Sequence, residues 1–203
     1  MSLFNYAVAK TIMHVPKPIV SYFAKGYIAG STLSDAVQVT KDLNQQGMMT
    51  TIDILGEFIT HFDQAIEFKN QALDILRTID REKLNGNLSI KPTQMGLLLD
   101  SERCFGLIHE LVSEAKKLGS FVRIDMEDIG TTDATLAMFD KLRREFPGHV
   151  GTVLQSYLRR TPQDIADHAD GYQNYRLCKG IYVEPRLHAW KNPQAINGNF
   201  TNC

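Results

Sequence analysis

Residues 121–127, F-V-R-I-D-M-E, alternate apolar and charged side chains and close on two carboxylates. A period of two sends Arg123, Asp125 and Glu127 to one face of an extended strand and Val122, Ile124 and Met126 to the other. Alone, that pattern fits an antiparallel edge strand with a solvated charged side. Its surroundings point elsewhere. Four more segments of strand character occur at residues 50–55, 87–91, 150–155 and 175–180, each following a stretch of helical period. Polar residues stand at or just past the C-terminal ends of four of the five: Lys91, Asp125 with Glu127, Gln155 with Tyr157, and Lys179 with Tyr182. In a parallel barrel that end is where chemistry is done.

The intervening stretches read as helices. Leu33, Ala36, Val37, Thr40 and Leu43 share one stripe, with Ser31, Thr32 or Ser34 to cap it and Gly47 to end it. Phe62, Ala65, Ile66, Ala72, Leu73, Leu76 and Ile79 form a second stripe. Ser101 is placed to cap a third, which carries Cys104, Leu107, Ile108, Leu111, Ala115 and Leu118. A fourth helix is expected from Thr131 or Thr132, burying Leu136, Phe139 and Leu142, and Thr161-Pro162 is a cap followed by a proline at the first helical position. Residues 1–30, broken by Pro16 and Pro18, read as two short helices. Expected strands start at 50, 87, 121, 150 and 175, about 25 to 37 residues apart, the length of one βα unit.

Strict strand–helix alternation leaves the doubly wound sheet and the (β/α)₈ barrel. No G-x-G-x-x-G follows the first strand, Leu55-Gly56-Glu57 being a weak substitute, and polar residues at strand ends favour the barrel. The expected fold is therefore α/β, of the (β/α)₈ TIM-barrel type, with only about five βα units after an N-terminal helical segment. Residues 1–48 form that segment and 49–203 the partial barrel. Barrels of this type typically need about 250 residues, and this chain has 203.

Composition narrows the partners. The formal net charge is −1 with no long single-sign run, which speaks against nucleic acid. Cys104, Cys178 and Cys203 are odd in number, far apart and without C-x-x-C, so neither a disulfide framework nor a zinc site is expected. The six histidines lack metal spacing and read as surface or capping residues, and Arg143-Arg144 reads as solvated. No apolar run reaches the roughly 18 residues of a spanning helix. A reducing cytoplasm is the expected setting, with at most peripheral contact with the inner face of the membrane.

The motifs I-D-I-L-G-E57, S-I-K91, V-R-I-D125-M-E, V-L-Q155-S-Y-L-R-R and Y-R176-L-C-K-G-I-Y182-V-E-P, in this order, resemble the proline dehydrogenase domain in its monofunctional bacterial form. The resemblance implies a barrel holding FAD at the C-terminal ends of its strands, oxidising L-proline to 1-pyrroline-5-carboxylate and passing electrons to a quinone. It makes Lys91 the lysine that holds the substrate carboxylate and Asp125 the carboxylate that orders polar groups beside it. Met126 and Gln155 would line the flavin, and Arg176 would lie near flavin N5. Lys179, Gly180 and Ile181 would approach the cofactor's phosphates and ribityl chain, and Tyr182 would pack against the substrate ring. Read from the residues alone, Lys91 needs an anion when substrate is absent, and Asp125 is one candidate.

The family's pattern also carries an arginine pair on its last barrel helix, which this sequence does not include; Arg159-Arg160 is no replacement. A C-terminally truncated, inactive remnant is accordingly one alternative expectation, with poor flavin retention when expressed alone. A class I aldolase using Lys91 or Lys179 as a Schiff-base amine is another.

Overall fold

The computed structural model describes residues 28–56, 59–171 and 173–203. The expected helices before residue 28 lie outside the described residues. Helix α1 (Leu33–Gln45) starts at a capping box in which Thr32 and Asp35 satisfy each other's backbone N–H groups, and its Leu33, Ala36 and Val37 pack against the main core. Five βα-type strands follow: β1 (Thr50–Asp53), β2 (Gly86–Ile90), β3 (Val122–Ile124), β4 (Val150–Gln155) and β5 (Tyr175–Cys178). Between them run α2 (Phe62–Arg81), α3 (Ser101–Lys117), α4 (Ile129–Glu145) and the short α5 (Thr161–Asp167), and α6 (Pro193–Asn202) follows β5.

All neighbouring strands pair in parallel, in the order β1-β2-β3-β4-β5. The sheet is a curled half-barrel of α/β type, with β1 and β5 at its edges among the described residues. Ile52, Leu88, Ile90, Val122, Ile124 and Val150 turn outward and meet Leu76, Ile79, Leu111, Phe139 and Leu142 of the helices in one core. Burying such side chains contributes about 1.5–3 kcal/mol each, the main force holding helices to sheet. The other face is concave. Register sets Asp53 beside Ser89, Ser89 beside Arg123, Arg123 beside Gly151, and Val153 beside Arg176, so a polar row crosses the hollow.

Several boundaries differ from the sequence reading. The third strand covers only Val122–Ile124, because Glu127 has left the sheet to bind Thr93. The cap of α3 is Asp100, which accepts from Arg103 N at 3.0 Å, and not Ser101; α4 begins at Ile129, ahead of the expected Thr131 or Thr132, with Asp128 as its cap accepting from Thr131 N at 3.1 Å. The proline of Thr161-Pro162 does fall in the first turn of α5, but the cap position is Arg160.

Arg143 corrects the expectation of a solvated pair. It is 1% exposed and ion-paired with Asp140 and with Asp170, where Nη2 meets Oδ2 at 3.0 Å. Arg144 joins the same cluster, 2.8 Å from Asp170. Of the other pair, Arg160 bridges Asp133 at 2.6 Å and Asp164 at 2.9 Å, while Arg159 lies 3.5 Å over the Trp190 ring. All three cysteines are free thiols.

Candidate active site

Parallel strands share one direction, so their C-terminal ends form one rim. A cavity of about 380 Å³ opens there, and Lys91, Asp125, Met126, Gln155, Arg176, Lys179, Gly180, Ile181 and Tyr182 all line it, together with Val153 and Cys178. Every candidate residue read from the sequence is thus brought to one place. Charged side chains in the lining comprise three cations and one anion, an imbalance that suits an anionic ligand.

Asp125 stands at the centre. One of its oxygens, Oδ1, accepts from Ser89 Oγ at 2.8 Å and from Arg176 Nη2 at 2.9 Å. Arg176 reaches it from β5 across the whole width of β4, which the curl of the sheet allows. Lys91 does not use Asp125, the candidate partner named from sequence. Its Nζ is ion-paired with Asp53 on the adjacent strand, although Asp125 is the residue that continues the register opposite Lys91. Both carboxylates of the concave face therefore have a cation of their own.

Arg123 underlies this surface. Its Nη1 donates to Thr152 O at 3.2 Å and Asn174 O at 3.0 Å, and its guanidinium lies 4.7 Å from the Phe121 ring. Burial, with Arg176's like charge, pushes its pKa down to about 10, while Asp125 pulls the other way. It remains a cation at neutral pH, and it was given no role in the sequence reading.

The apolar floor is Met126 and Val153, packed with Leu136 and Leu154. Gln155 is fully buried and spends its Nε2 on the carbonyls of Glu127, at 2.7 Å, and Met126, at 3.3 Å, leaving Oε1 as the group for a ligand donor. Gly180 has φ +98, and a Cβ there would lie 2.2 Å from Cδ1 of Tyr157, so only glycine lets the β5 loop press this close. Tyr157 N donates to Lys179 O at 3.0 Å, fixing the same turn, and burial pushes the Tyr157 phenol pKa up. Tyr182 leans on the cluster of Tyr157, Leu158 and Ala189, while Ile181 is 88% exposed at the mouth.

Two carboxylates given no site role in the sequence reading hold the rim together. Glu127 is buried and accepts from Thr93 N at 2.9 Å and Thr93 Oγ1 at 2.6 Å. Burial raises its pKa despite these bonds. Glu184 is buried too, its Oε1 accepting from Ile129 N at 2.8 Å, which ties the β5 loop to the start of α4. The acidic residue in V-E-P was the available signal, but its partner lies 55 residues away.

The residues fit a flavin. A dry floor suits a flat aromatic ring, Gln155 Oε1 suits its imide edge, and Arg176 and Lys179 with the bare backbone of Gly180 suit anionic groups.

A sequence model described as proline dehydrogenase matches residues 36–187. Proline dehydrogenase 1 of Bacillus subtilis (strain 168) is 34% identical over 177 residues, covering 87% of this chain and 58% of that protein. Proline dehydrogenase of Deinococcus radiodurans is 33% identical over 181 residues, again 87% and 58%. The chain therefore spans a little over half the length of these relatives. Among solved structures, proline utilization A from Bdellovibrio bacteriovorus, inactivated by N-propargylglycine, superimposes with TM-score 0.82 at 23% identity, over 91% of this chain and 24% of that one. Bradyrhizobium japonicum proline utilization A gives TM-score 0.70 at 16% identity, over 86% and 21%. Fold and sequence agree, and the chain belongs to the proline dehydrogenase family.

Proposed function

We propose that this chain carries the flavin- and substrate-facing part of an FAD-dependent proline dehydrogenase, which oxidises L-proline to 1-pyrroline-5-carboxylate and passes the electrons to a quinone. The observation that carries the reading is the convergence of Lys91, Asp125, Gln155 and Arg176 on one cavity in a chain of this family. When bound, FAD would supply the acceptor for the two electrons that leave with hydrogen from the substrate carbon next to nitrogen, the N–H proton being lost as the carbon–nitrogen bond becomes double.

The protein's own part is binding, orientation and charge. Lys91 binds the substrate carboxylate at the cavity. Arg176, hydrogen-bonded to Asp125, would set a fixed positive charge beside the cofactor and favour its reduced, anionic form. Asp125, itself oriented by Ser89, keeps that guanidinium from turning to solvent. Gln155 and Met126 face the cofactor ring, and Lys179, Gly180 and Ile181 its phosphates and ribityl chain, with Tyr182 closing on the substrate. Lys91 Nζ is engaged in an ion pair with Asp53, and this argues against Lys91 as the Schiff-base amine of the aldolase alternative. No helix among the described residues is long and apolar enough to cross a membrane, and in this reading the chain meets its quinone peripherally, from the cytoplasmic side.

The test is a visible spectrum of the purified chain, reconstituted with FAD, before and after anaerobic L-proline. The reading expects a protein-bound flavin band that bleaches with L-proline and is spared in Arg176→Ala. A chain that takes up no FAD, or whose bound flavin ignores L-proline, overturns it.

A further inference from the structure

Lys91 carries its own counter-ion. Its Nζ is ion-paired with Oδ2 of Asp53, on the neighbouring strand, and Asp53 does not itself line the cavity. Two other carboxylates lie near the lysine, and both are committed: Asp125 to Ser89 and Arg176, and Glu127 to Thr93. Asp53 differs from them. Its Oδ1 is buried and meets no hydrogen-bond donor of good geometry among the described residues.

We propose that Asp53 is a displaceable counter-ion, a positioning residue that holds Lys91 at the cavity and yields it to an incoming carboxylate by taking a proton on its free oxygen. The proposal rests on the reading of Lys91 as the carboxylate-binding lysine. A ligand carboxylate puts a second anion on one ammonium, and two carboxylates sharing one cation repel each other until the more buried one protonates. Asp53 is poised for this, since burial already pushes its carboxyl up against the pull of Lys91 and of the Ile54 backbone N–H, and the charge on Asp125 adds to the rise. The charged groups facing the pair are Asp125, Glu127 and, beyond Asp125, Arg176. Binding of an anionic ring acid should therefore take up protons, whereas binding of its neutral amide should not.

Isothermal titration calorimetry of the full chain tests this, with cyclopentanecarboxylate and cyclopentanecarboxamide in buffers of different ionisation enthalpy. We expect proton uptake with the carboxylate and none with the carboxamide. Asp53→Asn keeps the shape and removes the charge; it should abolish the uptake and tighten carboxylate binding by about three- to tenfold. Glu127→Gln should retain the uptake. Carboxylate binding that depends on Lys91 but takes up no proton, or uptake that persists in Asp53→Asn, overturns the proposal and leaves the functional reading intact. If Lys91→Met binds the carboxylate as well as the parent chain does, the assignment of Lys91 fails and the proposal with it. The carboxylate–carboxamide comparison on the parent chain decides the matter where Asp53→Asn does not fold.

Discussion

Gly151 and Arg123 share one volume: a Cβ at position 151 would sit 2.3 Å from Arg123 Nη1 and 2.6 Å from the Asn174 carbonyl oxygen that this nitrogen bonds. The missing side chain lets a guanidinium cross the sheet beneath Asp125 and Arg176. Gly151→Ala must therefore shift either the guanidinium or backbone. It should lower stability by about 1–3 kcal/mol, the range for overpacking. Gly106, in α3 with open space around it, is the control, because alanine there should stabilise by about 0.5–1 kcal/mol. Thermal unfolding of both variants checks the pair, and an unchanged midpoint for Gly151→Ala would contradict the contact.

Arg143→Met tests the buried ion cluster. Losing one partner of a buried pair typically costs 3–5 kcal/mol, and because Asp140 and Asp170 are about one-third exposed we expect the low end, about 3 kcal/mol. Burial acts to raise the Asp140 carboxyl, but Arg143 and Arg144 outweigh it and hold the group below its usual range. A group lowered in the folded state contributes its stability above the unfolded value of 3.8 and loses it as pH falls through the folded one. Urea titrations should show the acid loss below that value in the parent chain and a reduced one in Arg143→Met. Adding Asp140→Asn to Arg143→Met should recover part of the loss.

Glu127 works in the opposite sense. Its carboxyl is raised above the ordinary 4.5, so ionisation disfavours the fold, and this cost fades as pH falls from the folded value toward 4.5. Glu127→Gln keeps an oxygen for Thr93 and removes the charge. Its urea midpoint should exceed the parent's at neutral pH and converge with it in acid. A difference that grows toward acid would show that the carboxylate is stabilising.

Ser89→Ala removes one of the two donors to Asp125 Oδ1 at a residue that does not itself line the cavity. On the proposed function, kcat/KM for L-proline should fall by about three- to tenfold, the effect of one ordinary hydrogen bond. Asp125→Ala, which also frees Arg176, should fall much further. Equal losses in both variants would mean that Ser89 does more than orient Asp125.

The rim was legible in the sequence and its pairings were not. Period two and a shared strand direction suffice to put Lys91, Asp125, Gln155 and Arg176 on one edge, and the run between Pro147-Gly148 and Ser156 delimits β4 without further help. Which cation meets which carboxylate depends on lateral distance and curl, which no local pattern encodes. Lys91 found Asp53 in place of Asp125, and Asp125 found Arg176 two strands away. Arg143 looked solvated because its partner Asp170 lies 27 residues downstream. The α3 cap was read one residue late because Ser101 suits the cap position as well as Asp100 does.

The strands stand in the sheet in the order in which they are synthesised, so each emerging strand finds its neighbour already at the growing edge. Closing successive loops of similar length costs nearly the same each time, and each parallel pairing is a slow, non-local step. Contacts that bypass β4 escape this stepwise rule, Glu184–Ile129 among them. Arg176–Asp125 and the bond from Arg123 to the Asn174 carbonyl each span 51 residues and bypass β4. Neither can form before β5 docks, so the guanidinium proposed to serve the chemistry also marks completion of the sheet. A slow or slipped β5 would leave a chain with a finished core and no working site, a species that amide hydrogen exchange along β5 would reveal.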